Sequence, residues 1–339
     1  MKKTFFAAVA VCSTLSMTSC SNEENIVDNT NQNTTLEINP TIASAMQTSR
    51  AGVTSSAFTN GEVIGLYIYR GDGITSATEY ADVTGLNTKN VPYTETTGKW
   101  MATNKIILSN VIGKVYAYYP HESTYDGNDG KTIPVSVSAS QGTGQSDGKK
   151  DANGQIDYMW ATPVENVSNK TSSILLQMNH ALAKLTFKFV QSSGEDTYPG
   201  VGQVTSIELK NASEKSAIKN GNATMNIGNG ALNLTSAIAG SVKVSGITTA
   251  TLMDVTAPES LPSMLVYPGT IAAEDAILTV VVDGTSYTVK VPAQTYLAGK
   301  NYVYTFTLKG TGLSEDALSV QITRWDDVPL NGGNIQNPD

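Results

Sequence analysis

The 339-residue chain has few of the side chains on which catalytic and metal sites depend. It contains two cysteines, Cys12 and Cys20, and two histidines, His121 and His180. Because both cysteines lie near the start, we expect neither a disulfide nor a soft-metal site in the mature fold. The GxSxG spacing occurs once, as GQSDG at 144–148, but within a polar, glycine-rich loop; no phosphate-binding loop or HExxH motif is present. The sequence therefore predicts that the protein is not an enzyme and carries no cofactor.

Charge is also scarce, since only 15% of the residues are charged and the net charge is -8. This balance excludes the basic footprint that nucleic-acid binding requires. Asp126, Asn128 and Asp129 resemble part of a calcium loop, but the twelfth position would be Val137 instead of glutamate. A turn explains that segment better. His180 lies in an apolar stretch and is predicted to be a packed or hydrogen-bonded strand residue.

Apolar residues with the 3.6-residue period of a helix are missing, whereas period-two alternation is common. Leu185, Phe187 and Phe189 alternate with polar residues, and the stretch 302–308 repeats the pattern. Further strands are predicted at 62–69, 114–119, 132–138, 172–178, 203–209 and 318–325. The fold class is therefore predicted to be all-β, built of sandwiches.

The clearest local signal is Asp283-Gly284, a two-residue hairpin turn between β-rich runs. Pairing Val282 with Thr285 sets Val280 opposite Tyr287 and Leu278 opposite Val289. All six side chains then share one face, as expected of a hairpin that covers a core.

The first residues, MKKTFFAAVAVCSTLSMTSC, have the features of an export signal. Two lysines precede an uncharged run, and small residues stand directly before Cys20. We expect residues 1–19 to be removed and Cys20 to carry the lipid of an outer-membrane lipoprotein. An ordinary secretory signal with an incidental cysteine is the alternative.

Residues 20–50 are predicted to form a polar tether that contains one strand. The stretch from Ser21 to Thr35 has almost no apolar side chains to bury. Leu36, Ile38 and Ile42 then alternate with polar residues, and Pro40 confines such a strand to an edge or to its own end.

Beyond the tether, a glycine-rich polar break at 191–202 divides two regions of similar strand density. It predicts an N-terminal domain over 51–190 and a C-terminal domain over 191–339.

Arginine occurs three times, as Arg50, Arg70 and Arg324. Arg50 alone lies at a predicted boundary, among small polar residues. An extended, accessible peptide of this kind is what a protease cleft requires.

The chain carries, in order, the lipid cysteine and tether, SRAG at 49–52, SSAFTNGEVIGLYIY at 55–69, KVYAYYP at 114–120, DYMWATP at 157–163, ILLQMNHALAKLTFKF at 174–189 and SVQITRWDDVPLNGGNI at 319–335. In this order the segments resemble the fimbrillins, the type V pilins of Bacteroidales.

The resemblance implies two transthyretin-like β-sandwich domains in tandem and a pilus subunit at the cell surface. It also implies cleavage between Arg50 and Ala51 by an arginine-specific protease, removal of the strand with Leu36, Ile38 and Ile42, and polymerisation by strand donation. The candidate donor is the C-terminal region, which carries Val328, Leu330 and Ile335; a frayed, exposed end is the alternative. The implied partners are other pilin subunits, the maturation protease, lipid-modification and outer-membrane export machinery, and a host or bacterial surface ligand.

Two other functions remain open on the sequence. The chain could be a tip adhesin of the same pilus, or a surface glycan-binding lipoprotein that never polymerises. Trp100 and Trp160 are the candidate aromatic platforms for a glycan, although each could equally belong to a core.

Overall fold

The computed structural model describes residues 34–43, 58–71, 80, 88–125, 132–142, 155–192, 195–247, 261–310, 312–313 and 319–324. Across these ranges the regular structure consists of β-strands and one short 3-10 turn at Ser123–Tyr125, with no α-helix. The predicted all-β class is confirmed. The count of two transthyretin-like domains stays a prediction.

The strands of the first half of the chain are β1 (Thr34–Thr35), β2 (Glu37–Ile42), β3 (Val63–Arg70), β4 (Val91–Thr96), β5 (Lys99–Met101), β6 (Ile107–Leu108), β7 (Gly113–Tyr119), β8 (Thr132–Val137), β9 (Ser140–Gly142), β10 (Met159–Ala161), β11 (Val164–Val167), β12 (Ser173–His180) and β13 (Ala183–Gln191). Those of the second half are β14 (Val204–Asn211), β15 (Lys219–Asn226), β16 (Leu232–Asn233), β17 (Ile238–Ala239), β18 (Ser241–Ser245), β19 (Ser263–Val266), β20 (Gly269–Ile271), β21 (Ala276–Val282), β22 (Thr285–Lys290), β23 (Gln294–Tyr296), β24 (Lys300–Lys309), β25 (Gly312–Leu313) and β26 (Ser319–Arg324).

The N-terminal sheet has the spatial order β2-β12-β10-β7-β3-β4-β5, and β11 pairs with β7. Its two end strands, β2 and β5, approach within 8 Å between Cα atoms, so the sheet curls around its own apolar side chains. The separate pair β1–β6 lies next to this closure. We call the enclosed set the N-terminal core; it includes Leu36, Ile64, Tyr93, Leu176 and Met178.

The other strands form the C-terminal sheets. One has the order β19-β13-β24, with β25 and β26 both on the far side of β24. A second has the order β22-β21-β14-β18-β9, and a third joins β8, β16 and β17 to β15. Their inward side chains make a larger core, which includes Phe187, Phe306, Ile207 and Val280.

The predicted hairpin is confirmed residue by residue. Val282 pairs with Thr285, Val280 with Tyr287 and Leu278 with Val289. Both turn residues have positive φ, 48° at Asp283 and 79° at Gly284, as a type I′ turn requires. Asp283 also accepts hydrogen bonds from the backbone N–H groups of Gly202 and Gln203, both at 2.8 Å, so the turn anchors the preceding loop.

Strand pairing does not follow the boundary predicted at residue 191. β13 ends at Gln191, yet it pairs with β19 and β24 of the C-terminal half. β8 and β9, from the predicted N-terminal domain, pair with β15 and β18. The change of partners occurs between β12 and β13, because the chain leaves the N-terminal sheet at His180 and enters a C-terminal sheet at Ala183. The polar break at 191–202 begins where β13 ends, and the division into two domains stays a prediction.

Strands β3 and β7 have apolar side chains buried on both faces. Tyr119 belongs to the N-terminal core, whereas its neighbour Tyr118 belongs to the larger C-terminal core together with Tyr67 and Tyr69. Successive side chains of a strand point to opposite faces, so one pair of strands serves both cores. A layer of tyrosines therefore joins the two parts of the described chain.

Burial of these phenols predicts sensitivity to alkali. Burial raises the pKa of Tyr93, Tyr125 and Tyr267 from 10.0 to about 12, and it also raises the pKa of Tyr296 well above its usual value. The unfolded chain therefore loses phenolic protons at lower pH than the folded chain. We expect the free energy of unfolding to fall as pH rises from about 10 to about 12. Urea titrations across this range, with phenolate absorbance followed in parallel, measure it; a constant free energy of unfolding would contradict the burial.

Candidate functional site: strand β2 and its groove

Strand β2 turns its apolar side chains into the N-terminal core. Leu36, just before the strand, is 0% exposed and Ile38 is 4% exposed. Ile42 is half-buried and packs against the same core. The alternating polar residues Glu37, Asn39 and Thr41 are all exposed to solvent. The alternation that predicted a strand therefore also sets which side chains it buries.

The strand lies parallel to β12 in a six-residue register, from Glu37 opposite Ser173 to Ile42 opposite Met178. At its start the Glu37 N–H donates to the Ser172 carbonyl at 2.8 Å. Past its end the Ala43 N–H donates to the Met178 carbonyl at 2.6 Å. Only β12 holds β2 in this sheet, which makes β2 its terminal strand.

Strand β2 tolerates Pro40 because the backbone N–H at this position would point away from β12. Glu37 and Ala43 direct their N–H groups to β12, and residues an even number of positions away point the same way. Pro40 is in the opposite phase, so its missing N–H falls on the side away from β12. The sequence predicted this restriction to an edge.

On that other side, the start of the segment is fastened by separate contacts. β1 pairs with β6, Thr34 opposite Leu108 and Thr35 opposite Ile107. The Leu36 N–H donates to the Ile106 carbonyl at 2.8 Å. Residues 34–42 thus lie between β12 and the β6 region and close the curled sheet.

A buried tyrosine completes this end. The Tyr93 hydroxyl donates to the Leu36 carbonyl at 3.1 Å and accepts from the Ile106 N–H at 3.4 Å. Burial raises the pKa of Tyr93 from 10.0 to about 12, so the hydroxyl stays protonated and able to donate up to about that pH. Sequence reasoning missed this residue: the alternation in VPYTET indicates that Tyr93 is buried, but nothing local shows which carbonyl it meets.

The groove that holds β2 has an apolar floor, and one of its walls is the edge of strand β12. Without β2, the edge of β12 would offer its backbone groups along Ser173–Met178. The floor beneath consists of buried side chains that include Ile174, Leu176, Ile106 and Leu108. The arrangement can accept an extended chain with apolar residues at alternate positions.

The other residues predicted for this site lie outside the described part of the chain. These are Cys20, Arg50, Ala51, Val328, Leu330 and Ile335. The structure therefore brings Leu36, Ile38 and Ile42 together on one extended segment and says nothing of the lipid, cleavage or donor positions. Asp126, Asn128 and Asp129 also fall outside the described residues.

The other candidate site residues, a histidine and two tryptophans, contact neighbouring side chains or backbone. His180 is buried at the end of β12, as predicted, and its Nδ1 lies 2.9 Å from Asp157 Oδ1. Trp100 is half-buried, with its ring 5.2 Å from that of Phe58, and Trp160 packs against Gly230. Over the described ranges, no three histidine, cysteine or acidic residues gather as a metal site.

A helix long and apolar enough to cross a membrane is not found among the described residues. Together, the described strands define an all-β protein in which the terminal strand β2 covers an apolar groove.

The chain belongs to the fimbrillin-like family, whose profile matches residues 49–325. This membership supports a fimbrial role at the cell surface. A search of curated proteins found no match.

Solved structures share the fold. A Bacteroides ovatus protein assigned to cell adhesion superposes with a TM-score of 0.61 at 19% identity, covering 86% of this chain and 97% of its own. A Bacteroides uniformis protein with the same assignment gives 0.59 at 20% identity, with coverages of 86% and 98%. A fimbrial protein of Bacteroides vulgatus gives 0.50 at 16% identity, with coverages of 86% and 99%.

Packing of the segment into the core can be tested by truncating one side chain. Leu36→Ala should lower the free energy of unfolding by about 2–5 kcal/mol, because it removes a fully buried side chain and leaves a cavity. The matched control is Leu175→Ala on the adjacent strand, whose side chain is 71% exposed. Urea titration should show a change within about 0.5 kcal/mol for the control. Equal effects for the two variants would refute the packing.

Proposed function

We propose that this chain is a structural subunit of a cell-surface fimbria that supports adhesion. It is exported as a lipoprotein through Cys20, cleaved between Arg50 and Ala51, and polymerised by strand exchange. The observation that carries the proposal is the position of β2, which completes the N-terminal core although it precedes the cleavage bond.

Cleavage after Arg50 would break the covalent link between β2 and the sheet it completes. The described chain stops at Ala43 and resumes at Phe58, and the bond lies between them. Once it is cut, only non-covalent contacts hold residues 34–43 in the groove. The strand becomes exchangeable while the rest of the fold keeps its connections.

Loss of β2 would leave an unstable edge. The backbone groups of β12 would lose their partners, and the floor beneath Leu36 and Ile38 would face water. Burying those two side chains contributes about 3–6 kcal/mol before ordering costs. A strand from another copy that supplies similar side chains would restore both the ladder and the burial.

The donor is proposed to be the C-terminal region with Val328, Leu330 and Ile335. The described chain ends in β26 at Arg324, directly before this region. Val328 and Leu330 are two residues apart, as Leu36 and Ile38 are, so both can face one groove, whereas Ile335 is in the opposite phase. Other pilin subunits are therefore the expected partners, along with the arginine-specific protease and the export machinery.

Two alternative functions predict different behaviour after cleavage. A tip adhesin of the same pilus would be cleaved but would cap a fibre instead of extending it. A glycan-binding lipoprotein would stay single after cleavage and would bind glycan arrays; the packing of Trp100 and Trp160 gives it less support.

Blocking cleavage should block assembly. We expect Arg50→Ala and Arg50→Lys to yield folded, monomeric lipoproteins, because β2 stays linked to the domain in both. Arg50→Lys keeps the charge and removes only the arginine specificity. Electron microscopy for fibres and N-terminal sequencing of the surface protein measure the result, with Arg70→Lys as the control that should still be processed. Normal fibres from either Arg50 variant would refute the cleavage step.

The fold itself should select the cleavage bond. Arg70 is paired with Gly113 in β3–β7, and Arg324 with Lys300 in β24–β26, so their peptide bonds are held in strand ladders. A protease needs an extended, locally unfolded substrate. We expect an arginine-specific protease to cut the native protein at Arg50 and to cut at Arg70 and Arg324 only after denaturation. Mass spectrometry of timed digests identifies the bonds; early native cleavage at Arg70 would contradict the expectation.

A further inference from the structure

The segment 34–43 is held very differently at its two ends. At the Leu36 end, the side chain is fully buried and both backbone groups have partners. The N–H donates to Ile106 and the carbonyl accepts from Tyr93, while Thr34 and Thr35 pair with β6. Contacts to β6, to Tyr93 and to β12 therefore converge on this end.

The Ile42 end depends mainly on β12. Ile42 is only half-buried, and Pro40 has no N–H to offer on its outer side. The Thr41 hydroxyl reaches the Leu176 carbonyl at 3.5 Å, a long hydrogen bond, and the Ala43 N–H makes the last bond to Met178. This end is also the one that cleavage after Arg50 would disconnect from the domain.

We propose that β2 remains in its groove after cleavage and leaves it in one direction, from Ile42 to Leu36, as a strand of a second copy pairs with β12 from the Met178 side. This inference rests on the proposed function and specifies how the exchange proceeds. Cleavage then permits exchange without triggering it, so a cut subunit does not expose its groove before a partner arrives.

Tyr93 is the positioning residue that makes the exit directional. Its hydroxyl bridges Leu36 of the leaving segment and Ile106 of the groove, and it is buried away from water. Replacing it with phenylalanine keeps the ring in the core and leaves the Leu36 carbonyl without this partner while β2 is docked. After β2 leaves, that carbonyl is hydrated, so the substitution weakens the docked state selectively.

Tyr80 provides a matched control. Its buried hydroxyl also bridges backbone groups of the N-terminal core, donating to the Val111 carbonyl at 2.9 Å and accepting from the Ser109 N–H at 3.1 Å. Both of those partners stay with the domain when β2 departs. Tyr80→Phe should therefore destabilise the fold without favouring release of β2.

Release can be followed with the native Cys20, since the only other cysteine precedes it at Cys12. Protein expressed without the export signal, from residue 20 onward, leaves Cys20 free for a thiol-reactive dye. After cleavage at Arg50 the dye reports on the fragment that contains β2. Size-exclusion chromatography and fluorescence anisotropy then measure its departure in an excess of unlabelled synthetic peptide of sequence 34–43, which prevents rebinding.

In the wild type we expect the labelled fragment to co-elute with the domain well after cleavage is complete. Release should be about three- to tenfold faster in Tyr93→Phe, the effect of losing one buried hydrogen bond, and unchanged in Tyr80→Phe. Departure of the wild-type fragment at the rate of cleavage would overturn the proposal. Equal release from the two variants would overturn the role of Tyr93.

Direction is tested by hydrogen exchange on the cleaved protein. The Ala43 amide should exchange faster than the amides of Leu36 and Glu37, because fraying begins at the cut end. Uniform or reversed protection would refute the direction. Fibre formation is scored separately by electron microscopy: delayed release without fibres would count against strand exchange, while fibres that form after immediate release would count against the docked intermediate.

Discussion

The six-residue parallel pairing between β2 and β12 closes the N-terminal part of the structure. Without it the curled sheet ends at β12, and the side chains beneath Leu36 and Ile38 lose their cover. Most strands in the described chain are connected to the rest of the domain by segments that lie outside the predicted cleavage bond. Strand β2 differs, because the segment that connects it to the domain contains Arg50. Under the proposed function, the stability of the core and the assembly of subunits therefore depend on the same contact.

Period-two alternation explains why the all-β class and many strands could be predicted from the sequence. In β21–β22 a single turn signal fixed the register, since Asp283-Gly284 accepts the positive φ that the hairpin needs. In β2 the alternation also fixed which side chains are buried. Both results follow from local backbone geometry, which a few consecutive residues determine.

Contacts between distant residues could not be predicted in this way. The parallel partner of β2, the Tyr93 bridge to Leu36 and the crossing of β8 and β13 into the C-terminal sheets each join residues far apart in sequence. The boundary predicted at 191 rests on a polar break, which shows where a strand ends but not which sheet that strand enters. The lipid and cleavage positions rest on the sequence and on the resemblance it carries.

The tyrosine layer behind β3 and β7 has a mechanical consequence. Because one pair of strands contributes side chains to both cores, the two parts of the described chain cannot rotate against each other without disturbing Tyr67, Tyr69 and Tyr118. Close-packed interiors resist such deformation. In a fibre of these units each link would be stiff along its length, and the bends that let an appendage follow a moving surface would be concentrated at the joints between neighbouring copies.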